Sequence, residues 1–242
     1  MAHGNPLFNE KAYEQAVSRT ARGQEMTLQG TINKSFFLLL LCVVGGLISW
    51  NNYQAVFSWA WLIFFATLVV TFIIIFKKTT APLLAPVYAF GEGLLLGIIS
   101  AAYNTQYQGI VAQAIVITLL VFGIMLFIYR TGIIKVNRTF IIGVTAATGA
   151  IALFYLGSLV LQLFGVQVGY FTSNGGWAIA INAIICVVAA MNFLIDFDFI
   201  DKLTSQIIAP KYMEWYAAFS LMVTLIWLYL EILRLLARSR NR

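Results

Sequence analysis

Seven long apolar runs dominate this chain and constrain its fold more than any other feature. They cover about residues 35–50, 55–76, 82–103, 110–129, 140–164, 177–199 and 212–236. About 20 apolar residues of α-helix cross the hydrocarbon core of a bilayer. Only 10% of the 242 residues are charged and 61% are apolar, whereas a soluble domain has about 25% charged residues. The sequence therefore predicts an all-α polytopic membrane protein with seven transmembrane helices in the lipid bilayer.

Polar segments flank these runs and predict the division of the chain. Residues 1–34 form a polar tail with a helical stretch at about residues 9–22. Residues 35–237 form one seven-helix transmembrane domain, and residues 238–242 form a basic C-terminal tail.

Basic residues predict the orientation, since cytoplasmic loops carry an excess of Lys and Arg. Such residues lie in the N-terminal tail and in the second, fourth and sixth loops, whereas the first, third and fifth loops have none. The N-terminal tail is therefore expected in the cytoplasm. Seven crossings place the C-terminus outside, although it holds Arg234, Arg238, Arg240 and Arg242. Either this short tail escapes the rule, or the last segment dips into the membrane and returns.

Small residues predict where helices pack closely. Gly93 and Gly97 lie one turn apart in the third run, and Gly45 and Gly46 lie in the first. Small residues at this spacing let a neighbouring backbone approach. A run of Gly and Ala over residues 143–150 predicts tight packing of the fifth helix as well.

Acidic residues outside the N-terminal tail lie in or beside apolar segments, where a carboxylate is costly and needs a reason. Three of the nine acids lie in the tail. The other six are Glu92, Asp196, Asp198, Asp201, Glu214 and Glu231. This distribution indicates that carboxylates carry the function.

Glu92 falls near the middle of the third run, so we expect it to face the interior of the bundle. It is either a protonated carboxyl that hydrogen-bonds a neighbouring helix for structure alone, or a group that handles ions or protons. Asp196 and Asp198 lie two residues apart near the end of the sixth run, so at most one points directly into the bundle. Asp201 and Glu214 are expected to be ordinary loop or helix-end acids.

Asp196 and Asp198 are the predicted metal ligands and, with Glu92, the predicted ion and proton site. Hard oxygen ligands suit Ca²⁺ or protons better than soft metals. Two carboxylates held close cannot both ionise easily, which predicts a pH response without histidine.

The seventh run carries a polar stripe that predicts a pore lining. Ser220, Thr224 and Glu231 fall on one face at helical spacing. Glu231 can also pair with Arg234, three residues later, and this ion pair is the favoured interpretation of Glu231.

Enzyme, cofactor and nucleic-acid functions are not expected. The chain has no HExxH, GxSxG or Walker A motif. Its one histidine, His3, lies in the tail, and Cys42 and Cys186 lie singly in apolar runs, so no tightly bound cofactor is predicted. The basic residues form no long stripe that could track a phosphate backbone.

Five stretches resemble the Bax inhibitor-1 family, also called the transmembrane Bax-inhibitor-motif proteins. They are MNFLIDFDFIDKL at the end of the sixth run, AFSLMVTLIWLYLEILRLLA in the seventh, MTLQGTINKS before the first, YAFGEGLLLG in the third and APKYMEWYAAF after the sixth. The last three look closest to a bacterial YccA-like branch, which implies a bacterial inner membrane.

The resemblance implies a seven-helix fold with the last helix central, and a pH-sensitive calcium leak. In that family an aspartate pair between spans six and seven closes a pore on the cytoplasmic side. Carried over, the span-six member is Asp196 or Asp198, whereas Thr224 occupies the span-seven position. The pair is therefore incomplete, unless Glu92 or the other span-six aspartate takes that place.

The sequence thus predicts a pH-modulated Ca²⁺ leak channel with Ca²⁺ as the transported ion. The alternative is a non-transporting membrane regulator that binds a protein partner such as a membrane protease or stress factor. A proton-coupled transporter is a third possibility.

Overall fold

The structure is a computed structural model that describes residues 25–166, 168–172, 175–205 and 209–241. Nine α-helices and one short 3₁₀ helix, Lys78–Thr80, make up most of these residues. In chain order the α-helices are α1 Leu28–Asn51, α2 Tyr53–Phe57, α3 Ala60–Phe76, α4 Ala81–Gln106, α5 Ile110–Thr131, α6 Arg138–Leu163, α7 Gly169–Thr172, α8 Gly176–Ser205 and α9 Met213–Arg240. The described chain has no strand, only an isolated bridge between Glu25 and Pro210. The all-α prediction is confirmed.

Six of the described helices are long and apolar enough to span a membrane. They are α1, α4 (together with the 3₁₀ helix before it), α5, α6, α8 and α9. The predicted second span is interrupted at Ser58 and Trp59, which leaves α3 as an apolar helix of 17 residues. The polytopic membrane fold is confirmed, and the count of seven spans stays a prediction.

Several helices extend beyond the apolar runs. α1 begins at Leu28, seven residues before the predicted span, because Thr27 caps it by accepting a hydrogen bond from the Gly30 amide. α8 continues to Ser205 and so carries all three aspartates. The predicted helix at residues 9–22 lies outside the described residues.

The chain divides into two compact units. Unit 1 comprises Met1–Ile98 and Asp198–Met222, and unit 2 comprises Ile99–Phe197 and Val223–Arg242. Three helices, α4, α8 and α9, therefore contribute to both units. Of the six candidate spans, α9 has the largest buried share, 50% of its apolar window. A central position of the last helix stays a prediction.

Unit 1 is built on close contact between α1 and α4. A Cβ added at Gly93 would lie 2.2 Å from the carbonyl oxygen of Cys42, and one at Gly97 would lie 2.3 Å from that of Gly46. A Cβ at Gly45 would lie 2.5 Å from the carbonyl oxygen of Phe90. Only glycine allows backbones this close. The predicted small-residue packing of the first and third spans is confirmed.

Unit 2 has an aromatic core between α5 and α8. Phe122 meets Phe193 and Phe197 edge-on, with ring centroids 5.2 and 5.6 Å apart.

On α6, however, a Cβ added at Gly143 or Gly149 would meet nothing within 4 Å. The predicted tight packing is therefore wrong at Gly143 and Gly149, because they face away from the described helices. α8 approaches another side of α6, where the Asn192 amide donates a 2.8 Å hydrogen bond to the Thr148 hydroxyl.

Candidate ion site

Asp196 and Thr224 form a buried contact between α8 and α9 in unit 2. The Thr224 hydroxyl donates a hydrogen bond of 2.6 Å to Oδ2 of Asp196. Each residue is only 8% exposed. An interaction with an ionised acceptor at this length belongs to the strong class of hydrogen bonds. The structure therefore brings together the span-six acid and the span-seven position that the sequence singled out.

Asp198 has a different environment in unit 1. Its carboxylate accepts a 2.6 Å hydrogen bond from the Lys202 ammonium one turn later on α8. The side chains of Asp198 and Lys202 are 16% and 35% exposed. Such an (i, i+4) pair contributes about 0.5 kcal/mol or less. Of the two candidate aspartates, it is Asp196 that contacts Thr224.

No group of three or more His, Cys, Asp or Glu side chains that could hold a metal ion occurs among the described residues. A tight Ca²⁺ site takes six to eight oxygen ligands. Asp196 and Asp198 as ligands of a passing ion therefore stay a prediction.

Glu92 is half-buried on α4 and faces α3. The Thr67 side chain of α3 lies beside its carboxyl, and the Thr67 hydroxyl donates a 3.1 Å hydrogen bond to the backbone carbonyl of Phe64. The α3–α4 contact is close here, since a Cβ added at Gly91 would lie 2.6 Å from the Thr67 methyl group. Glu92 thus faces a neighbouring helix and lies beside a polar side chain within unit 1, as expected for a glutamate in an apolar helix.

Glu231 is the centre of a buried polar network in unit 2. It is 1% exposed. Its carboxylate accepts hydrogen bonds of 2.7 Å from the Tyr155 hydroxyl and 2.8 Å from the Asn182 amide. Arg234 forms an ion pair with it at 3.0 Å. The predicted pairing of Glu231 with Arg234 is confirmed, and the network adds two partners that the sequence did not indicate.

Glu214 is not the ordinary helix-end acid that the sequence suggested. It is 1% exposed and forms an ion pair with Lys34 of α1. Its Oε1 also accepts hydrogen bonds from the amide and hydroxyl of Thr27, at 2.9 and 3.0 Å. The expectation failed because these partners lie 180 and 187 residues away in the sequence, and no local spacing reports such a contact.

Ser220 and Asp201 are the remaining residues that the sequence singled out. Ser220 is half-buried on α9, in unit 1, one turn before Thr224. Asp201 is exposed near the end of α8.

Comparison with known proteins decides the family. The sequence model described as Bax inhibitor 1 like matches residues 5–241. The chain belongs to the Bax inhibitor 1 like family. An uncharacterized protein of Helicobacter pylori is 30% identical over 191 residues, which covers 67% of this chain and 82% of that protein. No solved structure matches.

Because the chain belongs to the Bax inhibitor 1 like family, the Asp196–Thr224 contact can be compared with the aspartate pair that the resemblance implied. The resemblance implied an aspartate pair between the sixth and seventh spans, with the sixth-span member left open between two residues. The contact brings Asp196 to the Thr224 hydroxyl, and the sixth-span member of such a pair stays a prediction. The YccA-like branch stays a prediction.

Proposed function

We propose that this Bax inhibitor 1 like protein is a pH-modulated cation leak for Ca²⁺ in the bacterial inner membrane, with its N-terminus cytoplasmic. The Asp196–Thr224 hydrogen bond is the observation that carries the proposal. Asp196 is its ion and proton site, and the contact between α8 and α9 closes the path.

The modest free energy of the Asp196–Thr224 hydrogen bond supports a leak rather than a permanently closed path. A hydrogen bond to a charged group stabilises by about 1.5–3 kcal/mol. A gap of a few kcal/mol leaves a minor state populated at about 0.1–10%. Since threonine carries no charge, opening this contact separates no ion pair. A hydrogen bond of this strength fits a path that closes and opens transiently.

Protonation of Asp196 supplies the pH response. A hydrogen bond to an ionised acceptor is roughly twice as strong as one between neutral groups. A proton on the carboxyl therefore weakens the closing contact, and we expect the leak to rise as the pH falls. Glu92 is the second proposed proton site, with Thr67 beside it.

Ca²⁺ flux into vesicles that contain the purified full chain tests the proposal. With wild-type protein the flux should rise from neutral to acid pH. Asp196→Asn removes the charge but keeps the shape, so the pH response should be lost. Thr224→Val removes the hydroxyl alone, so the flux at neutral pH should rise. Asp201→Asn is the matched control, since Asp201 is an exposed acid near the end of the same helix.

Two results would overturn this function. One is an equal flux for wild-type protein and the Asp196→Asn/Asp198→Asn double variant at both pH values. The other is an equal pH response for Asp196→Asn and the wild type. A non-transporting regulator would instead show no flux in any variant, and its activity would depend on the N-terminal tail. Deletion of residues 1–24 tests this alternative more cleanly than deletion to residue 30, because it retains Thr27, which binds Glu214.

A further inference from the structure

The ends of α4 and α9 in unit 2 enclose an open cavity of about 440 Å³. Its polar lining comprises Tyr103, Gln106, Tyr107, Arg234, Arg238 and Asn241. Among the described residues, this lining holds two guanidinium groups and no carboxylate. Such a lining favours an anion, and the residues lie at the helix ends, beyond the apolar stretch of each span.

The arginines of α9 differ in how their charge is compensated. Arg234 forms the ion pair with Glu231. Arg240 is exposed and donates to the backbone carbonyl of Gln108 at 3.1 Å and the side-chain carbonyl of Gln113 at 2.9 Å. Arg238 is 4% exposed and donates to the backbone carbonyl oxygens of Ala178 and Tyr170, at 3.0 and 2.6 Å. Among the described residues, Arg238 is thus a buried cation held by neutral groups.

Arg238 is fixed in place and still has donors to offer. Its guanidinium lies 4.2 Å from the centroid of the Tyr170 ring. The two carbonyls use two of its five N–H groups, and no other acceptor occurs for it in the described part of the chain. A rigid, partly satisfied guanidinium suits the bidentate recognition of phosphate oxygens.

We propose that this cavity binds a phosphate group, with Arg238 as its principal ligand and the neighbouring tyrosine, glutamine and asparagine side chains as further hydrogen-bonding groups. The source is a phospholipid headgroup or free phosphate. The volume favours the headgroup, because a cavity of this size accommodates an organic group rather than a bare ion. Tyrosine and arginine side chains are also typical of the headgroup level of a membrane.

Binding to the delipidated full chain in detergent tests this site with three soluble probes: inorganic phosphate, dihexanoyl phosphatidylglycerol and dihexanoyl phosphatidylcholine. We expect dihexanoyl phosphatidylglycerol to bind in a one-to-one ratio and to raise the midpoint of thermal unfolding. Arg238→Gln should weaken this binding. Since that variant removes a buried interaction and can fail to fold, Gln106→Glu is the second variant. It places a negative charge on an exposed wall residue and should weaken binding about ten-fold.

Arg130→Gln is the matched control, because it removes one exposed positive charge at the far end of α5. The site would be assigned to the free ion by two results together: Gln106→Glu weakens the binding of inorganic phosphate, and phosphatidylglycerol binds no more tightly than phosphate does. If Gln106→Glu weakened the binding of phosphatidylglycerol and of phosphatidylcholine equally, the site would recognise the phosphate group alone. The proposal is overturned if no probe binds, if Gln106→Glu binds as the wild type does, or if Arg130→Gln weakens binding as much.

Discussion

The two compact units are stabilised by different kinds of contact. In unit 1 the backbones of α1 and α4 touch at Gly45, Gly93 and Gly97, where no side chain fits between them. In unit 2 side chains rather than backbones make the decisive contacts, around the buried carboxylate of Glu231. Added side-chain volume should therefore destabilise the α1–α4 contact of unit 1, and an unpaired charge should destabilise the Glu231 network of unit 2.

Buried acids on the last two helices do not follow this division between the units. Glu214 in unit 1 and Glu231 in unit 2 both lie on α9, both are 1% exposed, and each has a basic partner. Asp196 of α8 accepts a hydrogen bond from the Thr224 hydroxyl of α9. A carboxylate in an apolar helix is therefore not by itself evidence of a functional residue.

The largest loss of stability is expected for Glu231→Gln. It leaves the Arg234 cation without its counter-charge among Tyr155 and Asn182, and breaking a buried pair costs about 3 kcal/mol or more. Thermal unfolding of the purified protein in detergent measures the loss. Glu231→Gln/Arg234→Gln should recover part of it, and a double variant less stable than both single ones would contradict the role of the pair.

Gly93→Ala should destabilise by about 3 kcal/mol, because the new methyl group would meet the backbone of Cys42, which cannot rotate away. Gly149→Ala on α6 is the control, since nothing lies within 4 Å of its position. There we expect a change within about 1 kcal/mol, towards higher stability, since alanine is the better helix former. Equal effects at the two glycines would remove the distinction between the units.

Glu214→Gln should cost less, about 2 kcal/mol. The glutamine keeps an acceptor for Thr27, and the long Lys34 side chain, 17% exposed, can turn its ammonium group towards water. The same unfolding measurement applies, with Lys34→Gln as the reciprocal variant. A loss larger than that of Glu231→Gln would show that the contact of α1 with the start of α9 is the stronger of the two.

The smallest effect is expected for Asp198→Asn, below about 0.5 kcal/mol, because its pair with Lys202 is a partly exposed (i, i+4) contact. Asp201→Asn, at an exposed position on the same helix, should behave alike in thermal unfolding. A loss above about 1 kcal/mol for Asp198→Asn alone would place it among the buried structural acids.

Prediction from sequence succeeded where the interacting residues lie close along the chain, or where only glycine allows the contact. The Glu231–Arg234 pair follows from a spacing of three residues. The close approach at Gly93 and Gly97 follows from their lack of side chains. Prediction failed for Gly143 and Gly149, where the same small-residue signal meets no neighbouring atom within 4 Å, and for Glu214, whose partners lie about 180 residues away.

The sequence alone determined that the chain is an all-α membrane protein of the Bax inhibitor 1 like family, because apolar run length and local motifs are properties of contiguous residues. It also narrowed the candidate ion site to a few acids. Only the tertiary structure decided which aspartate meets Thr224, since the two candidates differ merely in helical phase. It also decided that Arg238 lines a cavity as a buried cation, because that depends on which helix ends lie side by side.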